Sequence, residues 1–161
     1  MPRAAAAWGA RRGLTIVPLG LERSPTAARL ATAAQVPTML ADAGALPVRD
    51  ASVDLVLMNL MVHHFAPESV VRLMQDADRV ARRAVIISDL QRSTLARLCF
   101  VVGSRLLGFD RVTRQDGDTS IQRGFTVAEL AGLTRRAGLR ATVIGRPFWR
   151  VVALWHPQRG A

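Results

Sequence analysis

Tyrosine and lysine are missing from this 161-residue chain, and cysteine occurs once. All 22 basic residues are therefore Arg, set against 12 Asp and Glu for a net charge of +10. A lone Cys99 excludes an intramolecular disulfide and a thiolate metal cluster, so a reducing cytoplasm is the simpler home. Aromatic residues make up only 5% of the chain, and no basic run with interleaved aromatics occurs. The signature of single-stranded nucleic-acid binding is thus lacking, and the Arg content, scattered among many Ala, reads as coding bias rather than a phosphate-binding face. No nucleic acid is expected as a partner. Long apolar runs are lacking too: residues 95–109 are interrupted by Arg97 and Arg105 and fall short of the roughly 20 residues needed to span a bilayer. Residues 1–8 have no signal-peptide apolar region. His156 is far in sequence from His63 and His64, no spacing matches a known ligand set, and no metal is expected.

What is present is the composition of a folded chain, 50% apolar with mean hydropathy +0.18. The length suits a single domain over residues 1–161. Strand and helix signals alternate. Residues 3–12 are rich in helix formers and stop at Gly13. Residues 14–21 form a continuous apolar run broken only by Thr15, the pattern of a strand buried on both faces, with Pro18 marking a bulge. Ser24-Pro25 supplies a cap and a first helical residue for a helix over 26–35. Residues 53–58 read as strand and 67–82 as an amphipathic helix. A strand over 84–88 with Asp89 at its end precedes a helix over 93–107. Residues 110–122 are polar and read as loop. Thr126 and Glu129 form a capping box for a helix that Gly138 ends. Closing strands fit 140–145 and 149–155. The alternation predicts a doubly wound, mostly parallel α/β sheet with an antiparallel final pair.

Residues 38–65 are the centre of this pattern: strand, a turn-rich acidic segment, strand. In open parallel sheets ligands sit beyond the carboxyl ends of the strands, so Asp42 and Asn59 are expected to project into one crevice. The ordered set Asp42-Ala43-x-x-Leu46-Pro47-x-x-Asp50-x-Ser52-x-Asp54-Leu55-Val56, followed by His63-His64, resembles the class I S-adenosylmethionine-dependent methyltransferases. The likeness is to their small-molecule, ubiquinone/menaquinone-biosynthesis-like branch. Gly20-Leu21-Glu22-Arg23-Ser24-Pro25 is similar to that family's second strand with its terminal acid, and Gly124-Phe125-Thr126-x-x-Glu129-Leu130 to its late helix start. The resemblance covers nearly all of residues 3–155.

It implies a Rossmann-like fold, S-adenosylmethionine as cofactor, and methyl transfer to a small acceptor. It further implies that Glu22, beside Arg23, binds the ribose hydroxyls, that Asp42 and the Ala43 backbone meet the adenine, and that Asn59 and Leu60 line the methionine portion. From the residues alone, Glu22 is equally a surface charge and Asp42 a turn-capping residue. His63 and His64 are the candidate proton acceptors, with helix capping as the plain alternative. The greasy helix over 93–107 suits a quinone, polyketide or other lipid-like or aromatic acceptor, with peripheral membrane contact, or else simply packs in the core. Arg111, Arg114 and Arg123 could hold an acidic acceptor, though solvated loop charges are the commoner reading of such residues. The competing class is a non-catalytic binding or interaction domain on a truncated methyltransferase fold.

The family begins with a strand and a glycine-rich acidic loop for which this chain has no residues. Its absence from between the strands at 14–21 and 53–58 is expected to leave a gap of roughly 9–10 Å. Direct pairing of those strands, a strand from a partner chain, or a start annotated too late would each answer it, and the late start is the expectation.

Overall fold

The computed structural model describes residues 2–158, which fall into two compact units, the first reaching Pro47 and the second beginning at Val48. In the first, α1 (Pro2–Ala10) stops before Gly13, whose φ of 68° only glycine adopts freely. Strand β1 (Gly20–Glu22) leads into α2 (Pro25–Ala33), where the Ser24 hydroxyl accepts a bond from Ala27 N and Pro25 opens the first turn. Strand β2 (Thr38–Leu40) returns parallel to β1, with Glu22 opposite Leu40.

The strand expected over 14–21 is a correction. Only its last two residues join β1, and Leu14, Val17 and Leu19 are exposed. Pro18 has no N–H to donate, so pairing starts after it. Among the described residues β2 is its one sheet neighbour, so no second strand covers it.

The second unit holds a four-stranded sheet in the order β3 (Val53–Asn59), β4 (Ala81–Leu90), β6 (Arg150–Trp155), β5 (Thr142–Arg146). The β3–β4 pair is parallel, and β4–β6 and β6–β5 are antiparallel. Among the described residues β1 pairs with β2, and β3 with β4.

Between β3 and β4 runs α3 (Pro67–Val80), whose Val70, Leu73, Met74, Ala77 and Val80 recur at helical spacing and are all buried. No residue separates it from β4: Ala81 caps the helix, its N–H bonded to Ala77 O, and is also the first strand residue. Side chains alternate along the strands. Val85, Ile87 and Asp89 of β4 therefore share one face with Trp155, Ala153 and Val151, their register partners on β6. All six are buried, beneath α3 and α6 (Val127–Arg136). Trp155 donates its indole N–H to Asp78 Oδ1 on α3 at 2.9 Å.

Residues 110–122, expected as loop, are helix α5 (Arg111–Arg123). Polarity hid the signal. Asp110 is the N-cap, its Oδ1 accepting from Val112 N and Thr113 N. Gly117 lets the Phe100 ring of α4 (Thr94–Leu106) lie against α5, where any Cβ would strike it. The capping box forms as expected: Glu129 N donates to Thr126 Oγ1, and Thr126 N donates to Glu129 Oε2. Replacing Thr126 with Ala removes the hydroxyl half of the box. It is expected to lower stability by about 1 kcal/mol in urea unfolding, whereas Thr126→Ser should restore most of it. Among the described residues no helix is long and apolar enough to cross a membrane.

Candidate functional site

In the first unit, Glu22 ends β1 and Asp42 lies two residues beyond β2, at the carboxyl ends of neighbouring parallel strands. Ala41 N donates to Glu22 O at 3.0 Å, which holds the two tips together. Each carboxylate shapes a turn with one oxygen: Glu22 Oε1 accepts from Ser24 N at 2.8 Å, and Asp42 Oδ1 from Gly44 N at 2.7 Å. The turn-capping role considered for Asp42 is thus present, and Glu22, considered as a surface charge, also forms a turn. A carboxylate has about four acceptor positions, so the other oxygen of each stays available to ligand donors. Arg23 is exposed and Ala43 half-buried.

In the second unit, Asn59 is the last residue of β3, and Leu60, His63 and His64 follow it beyond the strand's carboxyl end. Asn59, opposite Ser88, accepts at Oδ1 from Arg150 Nη2 at 3.2 Å. Leu60 has φ of 51°, a conformation that costs a residue with Cβ on the order of 1 kcal/mol, while its N–H reaches Ser88 O. The chain turns there into a short 3-10 helix, Val62–His64.

The residue that sequence reasoning passed over is Asp89. Parity puts it on the buried face of β4 behind Val85 and Ile87, and it has no exposed surface. An ionised carboxylate is costly to bury unless it is hydrogen-bonded or paired. Asp89 meets that demand through Oδ2, which accepts from Met61 N and His63 N at 3.2 Å each, and through Oδ1, 2.6 Å from His63 Nδ1. Leu90 N also donates to Oδ1. The available signal was topological: adjacent parallel strands bring their carboxyl ends together, so an acid ending β4 falls beside whatever follows β3.

His63 is buried, whereas His64 is exposed with its ring centroid 4.1 Å from that of His63. Partial desolvation, followed by repulsion from His63 and then Arg123, holds His64 below its usual pKa of 6.5, against the pull of Asp89. A histidine depressed in the folded state binds fewer protons there than when unfolded, so stability falls as pH drops below 6.5. His64→Gln is expected to flatten that acid limb in thermal melts between about pH 5 and 8; an unchanged limb assigns it to other groups.

A cleft of about 300 Å³ in the same unit is walled by Leu90, Ala96, Cys99, Phe100, Ile121 and Trp149, with Gln91 and Phe148 at its edge. Its lining includes Leu90, the residue after Asp89. Phe148 and Trp149 both have positive φ, 60° and 50°, so the β5–β6 turn is held in a conformation uncommon for bulky residues. The greasy helix expected over 93–107 is α4. Instead of serving only as core, it leaves Leu95, Leu98, Val102 and Leu106 exposed at helical spacing. Arg111 and Arg114 line a separate cleft with Arg105 and Asp118. No cluster of three or more His, Cys, Asp or Glu able to hold a metal occurs among the described residues.

A family profile described as a methyltransferase domain matches residues 4–87. The fold is similar to that of a SAM-dependent methyltransferase of Thermotoga maritima, a possible histamine N-methyltransferase. The identity is 18%, over 94% of this chain and 76% of that one, with a TM-score of 0.64. It is also similar to a SAM-dependent methyltransferase of Aquifex aeolicus, at 13% identity over 87% of this chain and 68% of that one, with a TM-score of 0.59. PigF with SAH is similar at 16% identity over 98% of this chain and 52% of PigF, with a TM-score of 0.65. Likeness at these identities establishes the fold. Among curated proteins, no sequence matches.

Proposed function

The chain belongs to the methyltransferase-domain family, and from that membership we propose that it transfers a methyl group from S-adenosylmethionine to a small hydrophobic acceptor, as in the ubiquinone/menaquinone-biosynthesis-like branch. The observation that carries this reading is the family match over residues 4–87, which contains Glu22, Asp42, Asn59 and His63. PigF, a structural relative, was solved with SAH, the product that methyl donation leaves.

The acids present suit such a donor. The free oxygen of Glu22 can accept from vicinal ribose hydroxyls, and that of Asp42 from an adenine amino group. A sulfonium supplies a methyl group with an activated leaving group. The protein's share is then to orient the acceptor and, where the acceptor is protonated, to remove the proton. The apolar cleft beside Leu90 and the exposed Leu stripe of α4 favour an aromatic or prenyl-like acceptor over a charged amine.

Calorimetry with S-adenosylmethionine and SAH tests the cofactor. Saturable binding to the folded chain is expected, and its absence would favour a binding domain without catalysis. Methyl transfer from labelled S-adenosylmethionine to matched panels of hydrophobic phenols, quinols and amines tests the acceptor. Preference for amines would overturn the hydrophobic class.

A further inference from the structure

We infer that Asp89 is a positioning residue that fixes His63 in the tautomer with hydrogen on Nδ1, so that Nε2 is the atom that takes the acceptor's proton. This rests on the methyl-transfer reading for its role, but its geometry does not. An ionised carboxylate only accepts hydrogen bonds. With Asp89 Oδ1 2.6 Å from His63 Nδ1, the hydrogen belongs to Nδ1. In the neutral ring the lone pair is then on Nε2.

Oδ2 of the same carboxylate holds the backbone N–H groups of Met61 and His63, so ring and backbone are gripped together and the imidazole cannot rotate away. Among the described residues no buried side-chain nitrogen or oxygen lacks a partner. Nε2 bonds to no described residue, so it is the ring nitrogen left for a proton, on a side chain that is 3% exposed. The charged and titratable neighbours are His64, its ring tilted by 41° at a centroid distance of 4.1 Å, and Arg123, which acts on His64 from α5. Neither competes for Nδ1.

In the step itself, Nε2 takes the proton from the acceptor's O–H as the freed oxygen pair bonds to the methyl carbon, and the carbon–sulfur pair stays on sulfur. His63 becomes an imidazolium facing a carboxylate with no exposed surface, where opposite charges interact strongly. The proton then leaves to solvent and the ring returns to its starting tautomer. A hydrogen-bonded carboxylate thus serves twice, in orientation and in charge stabilisation.

The test needs no acceptor. The chain has three histidines, so His64→Gln and His63→Gln assign the imidazole nitrogen signals in long-range proton–nitrogen spectra. The wild-type His63 is expected to carry hydrogen on Nδ1 with Nε2 unprotonated. Diethyl pyrocarbonate should modify Nε2, located by fragment mass spectrometry. In Asp89→Asn the side-chain oxygen can keep the two backbone N–H groups while the amide N–H faces Nδ1. The hydrogen is then expected to move to Nε2, and carbethoxylation of His63 to slow at least tenfold.

A wild-type ring protonated on Nε2, a wild-type His63 inert to the reagent, or an unchanged rate in folded Asp89→Asn overturns the assignment. If Asp89→Asn fails to fold, the wild-type spectrum and rate decide. Failure to bind S-adenosylmethionine would count against the proposed function and leave the tautomer result standing, so the two failures are separable.

Discussion

Trp155→Ala is expected to cost about 3–5 kcal/mol of unfolding free energy, the range for truncating a large buried aromatic. Trp155 is 2% exposed, lies opposite Val85 in the sheet, and donates to Asp78 on α3. Its removal opens a cavity on the buried face of the four-stranded sheet and strands an acceptor. Trp155→Phe keeps most of the ring and loses the bond, which should cost nearer 1 kcal/mol beyond the change in volume. Urea unfolding followed by circular dichroism separates the two terms. A Trp155→Ala loss below about 1 kcal/mol would mean that the site collapses or that Trp155 is not packed as described.

The second large effect falls on cofactor affinity. Glu22→Gln and Asp42→Asn both retain an oxygen for the turn bonds to Ser24 N and Gly44 N while replacing the ligand-facing charge by an amide. Each is expected to weaken S-adenosylmethionine and SAH binding about 10- to 100-fold, the equivalent of one charge-assisted hydrogen bond lost. Melting temperatures should hardly move. Unchanged affinity in calorimetry would reduce both acids to turn formers.

The parts of the fold that could be read from sequence were those with local signals. Ser24-Pro25 at the start of α2, the Thr126 and Glu129 box on α6, and the helical spacing of Val70, Leu73, Met74 and Ala77 on α3 each needed only a few neighbouring residues. Residues 14–21 misled because hydrophobicity reports what a strand could bury and not whether a neighbour exists to pair with it. Residues 110–122 misled for the opposite reason. A helix with no buried residue leaves no apolar stripe, and its strongest mark is the Asp110 cap.

For the site, His63 stood out by residue type, and Glu22 and Asp42 by their places after strand signals. Asp89 was visible only as an acid ending a strand. Its partnership with Met61 and His63, 28 and 26 positions away, depends on β4 lying parallel to β3, which no local pattern encodes.

The passage from α3 into β4 without an intervening residue has a consequence for motion. Ala81 closes the helix through Ala77 and also stands opposite Val53 as the first rung of the parallel ladder. The usual fraying of a helix terminus is therefore denied to α3, since loosening its last turn takes the sheet's first pair with it. Amide hydrogens at the end of this helix should exchange on the timescale of the central strand, as one cooperative opening, and not on the faster one of a free helix end.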